Sequence, residues 1–381
     1  MSKKELIKAT KSRYLQASKK TKGLILDEFC ASTGYDRKYA ITILAASYDN
    51  NRVVNSGRRP RRGKYNTDIL GTVKKIWELL DYPCGVRLAP ELKENYQTLV
   101  RFKELPFKEK IASQLAIISP ATIDRRLKRE REVRHLTRYR GTTRPGSLLK
   151  KQIPIRLTDW SEARVGEMEI DTVAHNGGDP SGEFAFTLDT VDIVSGWSEQ
   201  YCPLSKGEET TLQSLKDIEE SLPFRVIGLD SDSGGEFINW HLLKYCQATK
   251  KYFTRSRPDR KNDNAFIEQK NGVRVRRWLG FGRYDTLEQV KLINDLYRNE
   301  FRLYTNFFLP VMKIKSKEKI NNSLCRKRYD QAKTPYRRLL ASPQISQETK
   351  DELTELYLSL NPVKLKQAIE EKVKKIRATA K

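Results

Sequence analysis

The chain has 381 residues, more than one ordinary domain holds, which predicts two to four folded units. Its 38% hydrophobic content, with 13 Phe, 17 Tyr and 5 Trp, excludes wholesale disorder. The 73 Lys and Arg against 48 Asp and Glu leave a net charge of +25, the electrostatic footprint of a polyanion partner, for which nucleic acid is the first candidate.

No apolar run approaches the ~18 residues that a membrane-spanning helix needs, and the opening MSKKELIKATKSRY has charge without an apolar stretch behind it, so neither membrane insertion nor a secretory signal is expected. Cys30, Cys84, Cys202, Cys246 and Cys325 are scattered without CxxC spacing. They suit a reducing, cytoplasmic setting. With only His135, His175 and His241 beside them, a Cys/His zinc site is not expected.

Residues 19–45 read as a helix, a turn at Gly34 and a second helix, with Leu24, Phe29, Tyr39, Ile43 and Leu44 as the apolar face. Arg37 and Lys38 stand at the start of the second helix, where a helix-turn-helix presents its DNA-reading residues; a plain helical hairpin is the alternative. This module is assigned to 1–55. The segment 56–66 follows, in which Arg58, Arg59, Arg61, Arg62 and Lys64 surround Pro60 with almost no apolar content. Such a linker can lie along phosphates or enter the minor groove; a plain solvated linker is the alternative, and the two are compatible.

A second helical DNA-binding module is expected over 67–128. There Ser119 is a natural N-cap, Pro120 fits the first helical position, and Ile123 and Leu127 form an apolar pair one turn apart. Arg125 and Arg126 lie on its last helix, and 129–158 reads as a basic inter-domain linker. From 159 to 305 the order is βββ-α-β-α-β-α, with NGGDPSG as the first hairpin connection. Asp189 and Asp192 read there as a strand-edge and a hairpin residue. The remainder, 306–381, is basic and ends in one helix over roughly 347–376.

Three acids stand at element ends in the α/β region: Asp171 closes the first strand, Asp232 the fourth, and Glu268 sits one turn into the last helix. Carboxylates converging above a sheet repel one another unless cations separate them. An oxygen-only donor set selects Mg²⁺ or Mn²⁺, and two such ions suit phosphoryl transfer. Asp230 shares a strand face with Asp232 and stands as the alternative second carboxylate, in a supporting role if Asp232 is the ligand. Glu236 is expected to support the loop rather than bind metal.

Between Asp232 and Glu268 lie 35 residues; counting from Asp230 gives 37. On this spacing, on DSGGEFIN, on RSRPDRKNDNAFIEQKN and on the tail motifs NFFLPVMK and YDQAKTPYRRLL, the chain resembles the DDE transposases and retroviral-type integrases, most of all bacterial insertion-sequence transposases. Ser233 stands where that family usually has Asn, and no His/His/Cys/Cys zinc module is present. The resemblance covers about 160–305 and implies a multidomain chain. Its parts would be helix-turn-helix N-terminal modules, an α/β ribonuclease-H-like catalytic core and a small basic C-terminal region. It implies Asp171, Asp232 and Glu268 as the catalytic, metal-holding residues and two Mg²⁺ or Mn²⁺ ions per site. It further implies double-stranded DNA, both terminal repeats and target, as substrate, a homo-oligomer in the synaptic complex, and a bacterial, nucleoid-associated location. Arg255, Arg257, Lys261, Lys270 and Asn271 would contact DNA around the site. A catalytically silent or domesticated DNA-binding regulator and a structure-selective nuclease on the same fold are the competing functions.

Overall fold

A computed structural model describes residues 3–45, 65–134, 163–231, 236–255, 271–319 and 325–381. Contacts divide the chain into two compact units, Met1–Lys64 and Tyr65–Lys381.

In the first unit three helices, α1 (Lys3–Gln16), α2 (Lys19–Thr33) and α3 (Arg37–Ala45), close a small core of Tyr14, Ile25, Leu26, Phe29, Ala40 and Leu44. The turn is fixed locally. Gly34 adopts φ 71°, a left-handed conformation that glycine takes without steric cost, and its N–H donates to the Cys30 carbonyl at 2.8 Å. Asp36 then accepts from the Lys38 N–H at 2.9 Å to start α3. The apolar face differs from the expected one. Leu24 is 66% and Tyr39 52% exposed, while Ile25 and Leu26 point inward, because the α2 face that meets α1 and α3 is rotated by one residue.

The second unit begins with α4 (Thr67–Leu79), α5 (Gly85–Leu88), α6 (Leu92–Arg101), α7 (Glu109–Ile117) and α8 (Pro120–Val133). Ser119 caps α8 by accepting from Thr122 N–H at 3.3 Å, Pro120 occupies the first turn, and Ile123 and Leu127 are buried. α8 extends to Val133, into the segment read as linker, because Glu130 pairs with Lys74 at 2.8 Å and holds the last turns on α4. α5 packs so closely on α8 that a Cβ at Gly85 would lie 2.2 Å from the Pro120 carbonyl. Helices α4–α8 share one apolar core with the C-terminal elements: Trp77, Leu88 and Leu127 belong to the same cluster as Tyr304, Leu339 and Ile369. The Tyr304 hydroxyl donates to the Leu79 carbonyl, and Lys366 Nζ donates to that of Glu78 at 2.9 Å.

The sheet follows. Strands β1 (Glu167–Ala174), β2 (Phe186–Asp192), β3 (Ser198–Tyr201), β4 (Gly228–Ser231) and β5 (Tyr252–Arg255) are ordered β3-β2-β1-β4-β5. β1 and β2, and β2 and β3, run antiparallel; β1–β4 and β4–β5 run parallel. With α9 (Glu208–Glu219) and α10 (Trp240–Ala248) between β3, β4 and β5, the element order is the one expected, and the core is a mixed α/β layer structure. One face of the sheet, Met168, Ile170, Leu188, Leu229 and Phe253, packs on Leu215, Ile218, Leu242 and Cys246 of α9 and α10. The other face is polar and still buried, carrying Glu169, Thr187, Asp189, Ser198, Gln200 and Asp230 under later helices.

β3 is an edge strand, and two side chains cover its open backbone groups. Asn306 accepts from Ser198 N–H and donates to its carbonyl, both at 2.9 Å, and Asn294 does the same for Cys202 at 2.7 Å. The C-terminal helix expected over 347–376 is two helices, Gln347–Ser359 and Pro362–Ala378. Pro362 has no N–H to continue the first helix, and Asn361 caps the second by accepting from Val363 N–H at 2.9 Å.

The double clamp makes a stability prediction. Asn306→Ala leaves the N–H and C=O of Ser198 buried and unpaired, which costs about 1–3 kcal/mol for each group. Urea unfolding of this variant is therefore expected to shift its midpoint down with little change in slope. An unchanged midpoint would show that the clamp contributes nothing.

Candidate active site

The candidate site is built where β1 runs beside the end of β4, and Asp171 lies inside β1 rather than closing it as expected, because pairing with β2 carries the strand on to Ala174. Ile170 of β1 pairs with Ser231 of β4, and Glu169 pairs with Asp230. Asp171 is therefore the next residue along β1, and Ser231 is the last described residue before Asp232. Asp171 is partly exposed, and its Oδ1 accepts from the Thr172 N–H at 2.7 Å. The neighbouring Thr172 hydroxyl donates to Glu236 Oε1 at 2.9 Å, and Glu236 forms an ion pair with Lys206. Glu236 thus ties the segment after Asp232 to β1, the supporting role expected of it.

Asp230 is 2% exposed and accepts a hydrogen bond from the Thr254 hydroxyl of β5. Asp189 pairs directly with Asp171 across β1–β2, fully buried, and accepts from Gln200 Nε2 at 2.7 Å. It is an interior residue of a central strand, not an edge residue as expected, because β1 and β3 flank β2 on both sides. Asp192 is the hairpin residue expected: its carboxylate accepts from the N–H and hydroxyl of Ser195 at 2.6 Å and from Gly166 N–H at 2.8 Å, and burial pushes its pKa up.

Sequence reasoning missed the cations and acids behind this face. Arg274 is 4% exposed and lies in the electrostatic field of Asp189 and Glu199; burial lowers its pKa to about 10. In RVRRWLG it reads as one of a solvated basic run, since nothing local reveals the acids that face it. Glu199 accepts from Trp197 Nε1 at 2.9 Å and pairs with Arg302 at 3.2 Å, yet burial raises its pKa to about 7. His175 is buried against Thr187, 2.8 Å from its hydroxyl, and burial drives its pKa down to about 3. A histidine held neutral in this way is no proton donor at neutral pH.

Arg37 and Lys38 are exposed at the start of α3, with Arg37 paired to Asp27. Arg125 and Arg126 are exposed on α8. Arg255 is 7% exposed in β5, opposite Ser231. Asn271 opens the helical turn Asn271–Arg276. Asp232, Glu268, Arg257, Lys261 and Lys270, and Arg58, Arg59, Arg61 and Arg62, lie outside the described residues. Among the described residues no three His, Cys, Asp or Glu side chains form a metal-sized group; two of the three expected ligands, Asp232 and Glu268, lie outside those residues. Asp171 itself fits a hard divalent cation: it is a carboxylate with solvent access beside the end of β4.

No family model matches the chain. The uncharacterized protein y4rM of Sinorhizobium fredii is 34% identical over 319 residues, covering 83% of this chain and 89% of the relative. The chain belongs to the same family as that protein. Among solved structures, the HTLV-2 integrase catalytic core domain in complex with magnesium aligns over 39% of this chain and 91% of its own, with 14% identity and a TM-score of 0.29. The catalytic core domain of BIV integrase aligns over 46% of this chain and 93% of its own (16% identity, TM-score 0.28). A simian T-cell lymphotropic virus intasome in complex with a PP2A regulatory subunit aligns over 65% of this chain and 75% of its own (13% identity, TM-score 0.33). Likenesses at these scores decide nothing by themselves; the core is defined by the strand order and pairing given above.

The raised pKa of Glu199 gives a pH prediction. The folded value, about 7, lies above the ordinary 4.5, so the folded protein holds a proton that the unfolded chain has released between those pH values. Stability therefore falls as pH rises from 4.5 to 7, by on the order of 2–3 kcal/mol from this group, and stays at the lower level above. Glu91, also raised to about 7 by burial, adds a fall of the same sign. Thermal melts of Glu199→Gln are expected to lose less stability between pH 5 and 7 than the parent. Parallel curves would contradict a buried, protonated Glu199.

Proposed function

We propose that the protein is a DNA transposase of the DDE type, with a ribonuclease-H-like core. It binds the terminal repeats of a mobile element, hydrolyses a phosphodiester to expose a 3′-OH, and joins that end to target DNA. The observation that carries this reading is the parallel pairing of Ile170 with Ser231, which brings the strand bearing Asp171 alongside the strand that runs into Asp232. The 35-residue interval to Glu268 and the motifs around it supply the rest. The ends of parallel strands are where functional side chains gather in α/β sheets.

In this reading Asp171, Asp232 and Glu268 hold divalent cations, Mg²⁺ or Mn²⁺, two per site. Bound there, such ions supply Lewis-acid stabilisation of the attacking and leaving oxygens. The chain's own contribution is placement. Thr172 and Glu236, with Lys206, fix the backbone around Asp171. Asp230, buried and bonded to Thr254, braces β4 against β5 rather than facing substrate. Arg274, buried in the field of Asp189 and Glu199, sets a cation against the acids of β2 and β3. Helices α2–α3 and α7–α8, with their exposed basic residues, are the proposed DNA-reading modules, and synapsis of two ends requires a homo-oligomer.

The test is a cleavage and strand-transfer assay on duplexes carrying the inverted repeats that flank the gene. Asp171→Asn, Asp232→Asn and Glu268→Gln are each expected to reduce both steps at least 100-fold while DNA binding is retained, since the amide keeps shape and loses the charge that holds a cation. Asp230→Asn is expected to keep substantial activity. A dead Asp230→Asn beside an active Asp232→Asn would reassign the second carboxylate. Cutting without joining would make the protein a nuclease, and full activity in all three variants would sink the mechanism.

A further inference from the structure

A two-stranded ribbon, β6 (Ile314–Lys319) and β7 (Cys325–Tyr329), forms a sheet of its own, separate from the five-stranded core. From 314 to 329 the chain carries six basic residues against the single acid Glu318. The ladder sets Lys317 opposite Lys327 and Ser316 opposite Arg328. An isolated two-stranded ribbon is marginal in water. Lys315, Arg326 and Arg328 are exposed, and Glu318 offsets only one of them, through its pair with Arg328 at 3.2 Å.

The base of the ribbon is braced as firmly as its body is bare. Val311 and Lys333 exchange backbone hydrogen bonds at 2.9 and 3.1 Å. Lys313 and Asp330 are joined by the Asp330 N–H to the Lys313 carbonyl at 2.9 Å and by the Lys313 N–H to Asp330 Oδ1 at 2.7 Å. Arg338 grips Asp330 in a fork, at 2.7 and 3.1 Å, and donates to the Val311 carbonyl at 3.0 Å. Lys313 Nζ reaches the Ile193 carbonyl, at the β2–β3 turn, at 2.6 Å. A braced root therefore carries a basic arm, of whose exposed Lys315, Arg326 and Arg328 only Arg328 is paired with Glu318.

We propose that this ribbon is a docking arm for duplex DNA, lying in the major groove with Lys315, Arg326 and Arg328 against the phosphates. The inference rests on the DNA-processing function above and adds a contact site to it. The shape fits: two strands ~4.8 Å apart, with side chains, fill a groove ~12 Å wide, one of the few elements that enter it. The ribbon is rooted beside the β2–β3 turn, whose Asp192 pairs with Met168 near the start of β1, whereas Asp171 lies further along that strand. The arm thus grips duplex away from the scissile bond.

The experiment compares the full chain with the triple variant Lys315→Gln, Arg326→Gln, Arg328→Gln. Affinity for a labelled duplex and for a single strand of equal length is measured from 50 to 300 mM salt. Each phosphate contact contributes about 0.9 to the slope of log affinity against log salt, so the variant's duplex slope is expected to fall by about 2–3. The Lys315, Arg326→Lys, Arg328→Lys chain is expected to restore it, which separates charge from folding. Strand cleavage at saturating DNA is expected to stay within about twofold of the parent. An unchanged slope in the triple variant, with a salt-dependent parent, overturns the arm alone; an equal loss on single strands overturns the groove assignment. A parent with no salt-dependent duplex binding overturns both the arm and the transposase reading.

Discussion

The structure depends on one constraint: a sheet whose second face is polar and yet buried. Glu169, Asp189 and Asp230 on it are all 2% exposed or less, and Glu199, the neighbour of Gln200 on β3, is 3% exposed. Buried carboxylates are tolerable only when hydrogen-bonded, paired or protonated. Here each solution is in use. Asp230 takes the Thr254 hydroxyl, Asp189 takes Gln200, and Glu199 combines Arg302 with a pKa near 7. The cations come from far along the chain, so the face is complete only when the later helices have docked.

That coupling explains the reach of the C-terminal elements. The same helical stretch that supplies Arg302 supplies Asn306 to the β3 edge, and Tyr304 to the Leu79 carbonyl of α4. Arg277, just beyond Arg274, pairs with Asp81 at 2.9 Å, and Lys366 reaches the neighbouring Glu78 carbonyl. Sheet, α4 and the final helix are thus locked through one segment, and a disturbance at 271–279 is felt by all three.

Features decided within a few residues were legible in the sequence. The left-handed turn at Gly34, the Ser119–Pro120 helix start, the βββ-α-β-α-β order and the hairpin role of Asp192 follow from local chemistry. What failed depended on partners distant in sequence. Leu24 faces outward because the rotation of α2 is set by packing on α1 and α3, and Asp189 is central because β3 folds back beside it. The break before Pro362 is visible in the sequence as a proline inside an otherwise helical pattern. In the candidate site, Glu236 as a support was readable from position, whereas the place of Asp171 inside β1 was not, since it depends on β2 pairing as far as Ala174. The burial of Arg274 was not, since a basic run looks the same whether it meets water or acids.

The central claim is that Asp171 and Asp232, not Asp230, hold a catalytic cation. Titration calorimetry with Mn²⁺ on the parent and on single Asn variants tests it directly, without any DNA. The account predicts measurable binding by the parent, binding weakened at least tenfold in Asp171→Asn and in Asp232→Asn, and parent-like binding in Asp230→Asn. Equal binding by the parent and Asp171→Asn, or loss confined to Asp230→Asn, would contradict it.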